Sequence, residues 1–280
     1  MRLPATLLIK RHDSEKHDQA PWWSPMLWLW LLVGAAWAVT VLAVVTRHTE
    51  WGDHHYLLQT SGLPFVSALG LFLASWQLMI LAMMVPCLAP LLHQMSDART
   101  SARAPGSLAM FLMLLAGYDL VWTASGCAAF FGDALLHEVV ESWPWLGIHN
   151  AIIATGLLAL AGAYQFTPQK TRLMMGCQAP SERADVTGLD AAYRAGAGAG
   201  RSHLGSCWAL MLAMFGVGMG SLVWMVSLTG LMLAEQVFGP RASALRWSVG
   251  VVFFVLAALT VALPTAPPGR FGLAGPLFFW

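Results

Sequence analysis

Sulfur-bearing side chains recur at helical spacing in two stretches of this chain. In the first, Trp76-Gln-Leu-Met79-Ile-Leu-Ala-Met83-Met84-Val-Pro86-Cys87, the residues Met79, Met83 and Cys87 follow one another at i, i+4. In the second, His203 precedes Cys207-Trp208-Ala-Leu-Met211-Leu-Ala-Met214. At about 100° per residue, each set falls within about 80° of arc on one helix face. Thioethers and thiolates are soft donors, and soft donors select Cu(I) over harder divalent ions. The stripes therefore predict a copper path lined by Met79, Met83, Cys87, Cys207, Met211 and Met214, with His203 and Cys177 at its mouth. Met at this spacing equally serves packing, because a flexible thioether fills irregular gaps. A structural or accessory subunit with Met-rich packing helices is thus the alternative reading.

The elements that must carry these stripes follow from composition. Of the 280 residues, 58% are hydrophobic and 10% charged, whereas a soluble domain carries about 25% charged residues. So few charges cannot cover a water-exposed surface, and hydrocarbon is the solvent that suits this one. A spanning helix needs about 20 mostly apolar residues. On that measure the sequence predicts an all-α polytopic membrane bundle with spans at about 22–45, 65–92, 107–130, 146–166, 204–234 and 243–263. Residues 1–21 form an N-terminal tail, about 22–265 the membrane domain, and 266–280 a C-terminal tail. Trp22, Trp23, Trp28 and Trp30 open the first span as interfacial anchors.

Orientation follows from Lys and Arg. With the N-terminus inside, inner segments hold twelve of them and outer segments three, Arg47, Arg241 and Arg246. This predicts a plasma (inner) membrane protein with both termini cytoplasmic. The long inner segment, about 167–203, contains Ala195-Gly-Ala-Gly-Ala-Gly200 and reads as flexible. A net charge of +1 suggests no nucleic-acid partner. The four cysteines form no Cys-x-x-Cys pair. No nucleophile–base motif, phosphate loop or dinucleotide fingerprint appears in usable context, so no catalytic or cofactor-binding residue is assigned. The expected partners are the lipid bilayer, a metal ion, and a metallochaperone or other membrane subunits.

The two stripes also share a motif, Trp-x-Leu-Met followed by Leu-Ala-Met, offset by one residue. On the predicted topology they lie on oppositely directed helices, each the middle helix of a three-helix half. That arrangement fits a 3+3 inverted repeat, a common plan among transporters. Gly216 and Gly220 would permit close helix approach in the second stripe.

Taken together, Trp76-x-x-Met79-x-x-x-Met83-Met84-x-Pro86, Ala161-Gly-x-Tyr164-Gln165-x-Thr-Pro168-x-Lys170 and Cys207-Trp208-Ala-Leu-Met211 resemble an uncharacterised bacterial family. Its members are described as predicted metal-binding integral membrane proteins with a domain of unknown function. The resemblance spans about residues 65 to 235 and implies metal binding without naming the metal. Two departures bear on the ligands. Where the family tends to carry two cysteines four apart, this chain has Leu173 and Cys177; where it tends toward three before the tryptophan, this chain has His203, Ser206 and Cys207.

Three further groups are candidates. Asp119 falls near the middle of the third predicted span, where a charge costs at least about 2.5 kcal/mol and so marks a functional residue by default. Tyr118 or Gln77 would be its partner in a purely structural role. His48, Glu50, Asp53, His54 and His55, with Asp133, His137, Glu138, Glu141 and His149, gather on outer segments. Imidazole and carboxylate suit Zn(II) or Cu(II), but no recognised ligand spacing is present. Pro86 and Pro90 interrupt the second helix and free carbonyls near Met83 and Cys87.

Overall fold

The structure, a computed structural model, describes residues 25–46, 57, 62–89, 91–92, 107–143, 145, 151–178, 188–217, 221–239 and 243–262. Among these residues the chain is all-α. Its helices are α1 (Pro25–Val45), α2 (Phe65–Met83), α3 (Ser107–Ser142), α4 (Ala151–Gln165), α5 (Pro168–Gln178), α6 (Leu189–Val217), α7 (Leu222–Phe238) and α8 (Ser243–Ala262). Both terminal tails, Pro90, Gly220, His149 and the group from His48 to His55 lie outside the described residues. Four helices are long and apolar enough to cross a membrane: α1, α2, α3 and α8. Val, Leu, Phe and Trp side chains cover their outer faces. We therefore read the chain as a membrane protein.

Proline chemistry ends α2. Pro86 has no N–H to give the carbonyl of Ala82, which the α-helical pattern would otherwise have it bond. The indole of Trp37 on α1 donates to that carbonyl instead, at 3.0 Å. Beyond Met84 the chain tightens into a 3₁₀ turn, Val85–Leu88, with Cys87 N–H bonding the carbonyl of Met84. Further out, α2 runs antiparallel to α3. Phe65 meets Phe130 and Phe131, Trp76 donates to the carbonyl of Trp122, and Met84 lies beside Tyr118. Gly126 leaves the space that the Trp76 ring occupies.

The Gly-Ala segment expected to be a flexible loop is instead part of α6, packed along α3. Backbones touch there: a Cβ on Gly117 would collide with the carbonyl oxygen of Tyr193, and one on Gly196 with that of Leu114. Gly200 lies against Tyr118 and Val121. Leu114 on Gly196, Tyr118 on Gly200 and Trp122 on His203 advance together along both helices, so α3 and α6 are parallel. Glycine costs about 1 kcal/mol in a helix interior, but close approach over several residues gains enough contact to outweigh it, as small residues do in membrane helices. Asp190, Arg194 and Arg201 keep α6 below the apolarity of a simple span, yet it is the helix around which α3, α4, α5 and α7 pack.

A single helix over 204–234 is also not what forms. Helix α6 ends at Val217, Ser221 is extended, and α7 begins at Leu222. Helix α7 then returns along α6, bringing Met232, Glu235 and Gln236 beside His203, Ser206 and Cys207. Helix α8 consequently starts at the end of the bundle that holds α5: Arg246 bonds Thr171. It runs antiparallel to α4, with Gly250 on Gly162 and Thr260 on Thr155. Arg246 therefore lies beside the segment carrying Lys170 and Arg172, not opposite it. The charge count could not reveal this, because the chain reverses between α6 and α7 without a charged residue at the turn.

Candidate metal centre

The predicted ligands are distributed as follows. Met79, Met83, Met211 and Met214 all point into the apolar core and none faces outward. The helices α2 and α6 that carry them are joined mainly through α3, which packs against both. At one end of these stripes the polar and sulfur groups gather. The thiols of Cys87, Cys177 and Cys207 lie within electrostatic reach of one another, and Tyr118 feels all three. They arrive from the 3₁₀ turn after α2, from α5 and from α6. Each is a free thiol.

Helix α5 follows α4 after a short break at Phe166–Thr167 and docks on α6. Tyr164 donates to the carbonyl of Gly205 at 2.6 Å, Leu173 packs on Gly205, and Gly176 lies against Ser202. Cys177 Sγ is 4.0 Å from Ser206 Oγ. Positions 173, 177, 203, 206 and 207, where the resembled family tends toward cysteine and this chain keeps it only at 177 and 207, thus lie along the α5–α6 contact and its neighbouring cavity. Burial pushes the Cys177 thiol up from its ordinary pKa of 9.0, opposed by hydrogen bonds with Ser206 and Gln236.

His203 is buried one turn before Cys207 on α6. Its Nδ1 is 2.7 Å from the hydroxyl of Tyr118, which also lies 3.1 Å from the carbonyl oxygen of Met84. A carbonyl can only accept, so the single phenolic proton goes to Met84. Nδ1 of the neutral imidazole must then carry its hydrogen and donate to Tyr118, which leaves the lone pair on Nε2. The Trp122 ring meets the imidazole edge to face. The sequence singled out Tyr118 only as a partner for Asp119; its role here depends on the carbonyl that Pro86 and the 3₁₀ turn leave beside it.

A small cavity opens next to these groups, lined by Met174, His203, Ser206, Cys207, Met232, Glu235 and Gln236. Its free volume of about 10 Å³ suits one water-sized occupant. Glu235 is engaged on both oxygens by Lys170, at 2.9 and 2.8 Å. That ion pair is buried, and desolvation pulls Lys170 below its usual pKa while Glu235 holds it up. Lys170, Met174 and Cys177 share one face of α5 by i, i+4 and i+3 spacing, a signal present in the sequence but overlooked beside the longer stripes.

Other candidates take no part. Asp119 faces outward from α3 and accepts a hydrogen bond from Thr123, while Gln77 also bonds Thr123. Asp133 and His137 pair within α3. Among the described residues, no three His, Cys, Asp or Glu side chains gather closely enough to hold a metal ion by themselves. A soft-metal site in this region must therefore draw on methionine.

No curated protein and no solved structure matches the chain. Residues 73–260 match the PpoB2 family, described as copper chaperone, and this stretch holds α3 to α7, most of α2 and α8, and every cysteine together with His203, Met174 and Met232. The chain belongs to the PpoB2 copper chaperone family.

Proposed function

We propose that this protein binds Cu(I) within the membrane bundle and passes it to a partner, with the binding site beside His203 and Cys207 on α6. The observation that carries this reading is that His203 and Cys207 open onto one buried cavity, with Cys87 and Cys177, from two other chain segments, within electrostatic reach of the Cys207 thiol. Thiolate and imidazole together suit Cu(I), and family membership supports copper as the cargo. The stripes Met79–Met83 and Met211–Met214 extend soft, buried surroundings from this site into the core. A metallochaperone that delivers or collects the ion is the partner this reading requires, and the plasma membrane is the expected location.

The packing alternative, an accessory subunit, predicts that sulfur at these positions matters only as bulk. A Cu(I) competition titration on purified protein separates the two. Wild type is expected to bind Cu(I), and Cys207→Ser to bind more weakly with its helical content unchanged. Failure of the wild type to take up Cu(I) overturns the proposal and leaves the packing role.

A further inference from the structure

We infer that the ion is seated in the cavity between α5, α6 and α7, held by His203 Nε2, the Cys207 sulfur and the thioethers of Met174 and Met232. This rests on the copper reading above and deepens it, because it names the ligand set and moves the decisive methionines away from the two stripes. Four observations carry it. All four side chains line the same cavity, and that cavity has room for one occupant. Nδ1 of His203 is committed to Tyr118, and Nε2 makes no hydrogen bond to any described residue. The one carboxylate in the lining, Glu235, is taken by Lys170, and Ser206 and Gln236 are engaged in hydrogen bonds with Cys177, so the soft donors in the lining are an imidazole and three sulfurs. That set favours Cu(I) and disfavours harder ions.

Charge supports the same assignment. Lys170 and Glu235 form a buried pair of opposite charges, so the lining has no net charge to spare. When Cu(I) binds, the S–H bond of Cys207 breaks, a sulfur–copper bond forms and one proton leaves to solvent. One positive charge replaces another, and no uncompensated charge enters the apolar surroundings. A divalent ion at the same ligands would leave one positive charge unbalanced. Tyr118 is a positioning residue in this scheme: it holds the imidazole in the tautomer that presents Nε2, as partners of metal-bound histidines do.

The test uses the full chain and Cu(I) itself, with affinity read by competition and ligand type by X-ray absorption. Wild type should bind one Cu(I) with nitrogen and sulfur scatterers together. Met174→Leu combined with Met232→Leu keeps side-chain volume close to native, so the fold should survive. It should lose affinity and show fewer sulfur neighbours. Met110→Leu, at a buried methionine on α3 outside the cavity, should bind as wild type. Tyr118→Phe should weaken binding by about 10–100-fold with the sulfur count unchanged. If wild type binds Cu(I) and the Met174/Met232 variant matches it in affinity and sulfur count, this seat is wrong while the copper reading stands. If wild type binds none, the copper reading itself is wrong.

Discussion

Lys170 on α5 and Glu235 on α7 form a buried ion pair 2.8 Å apart at the wall of the cavity. It ties the return arm of the α6–α7 hairpin to the short helix that carries Met174 and Cys177. Removing one partner leaves the other buried and unpaired, which costs up to about 3–5 kcal/mol, whereas replacing both with apolar side chains is often neutral. Glu235→Gln should therefore destabilise the protein more than Lys170→Met combined with Glu235→Met, as measured by thermal unfolding in detergent.

The same variant should show a defined pH dependence. Burial already lowers the pKa of Lys170 and Glu235 opposes that shift, so Glu235→Gln drops it further below the ordinary 10.5. The folded state then binds fewer protons than the unfolded state between the lowered value and 10.5, and stability rises with pH across that window. The deficit of Glu235→Gln relative to wild type is expected to be larger at pH 7 than at pH 9. An equal deficit at both values would mean that Lys170 stays charged without its partner.

Contact between α3 and α6 depends on glycine at specific positions. Gly117→Ala and Gly196→Ala each place a methyl against a carbonyl oxygen of the opposite helix, and overpacking of this kind costs about 1–3 kcal/mol. Gly198 has open space around its Cβ direction, so Gly198→Ala should be neutral or should stabilise by up to about 1 kcal/mol through helix propensity. Melting temperatures of the three variants check the order.

Topology gives the last prediction. Arg246 lies beside Thr171 and α8 runs antiparallel to α4, so Ala262 and Thr171 belong at opposite ends of the bundle. With the α5 end cytoplasmic, inner segments hold thirteen Lys and Arg and outer segments only Arg47 and Arg270, a stronger inside bias than the six-span arrangement has. In a background with the native cysteines replaced, a cysteine at position 262 should react with an impermeant thiol reagent applied to intact cells, and one at position 171 should not.

Much of this protein follows from sequence alone. Scarce charge and long apolar runs dictate a membrane helix bundle, and 3.6-residue spacing dictates that Met79, Met83, Met211 and Met214 turn to one side of their helices and into the core. Pro86 dictates a break in the second helix, because a missing N–H leaves a carbonyl that other groups must satisfy. What periodicity cannot report is which helix lies beside which, since any apolar face satisfies hydrocarbon equally well. Only the tertiary structure makes the Gly-Ala segment a packed helix, because its stability comes from backbone contact with Gly117 and Leu114 on α3, not from its own propensity. The turn between α6 and α7 is likewise decided by packing. It lets Glu235 reach Lys170 and places Met232 opposite Met174, across a distance in sequence that no local pattern spans. The tautomer of His203 depends on both levels: the proline and 3₁₀ turn place the Met84 carbonyl, and the packing of α3 between α2 and α6 sets Tyr118 between that carbonyl and the imidazole.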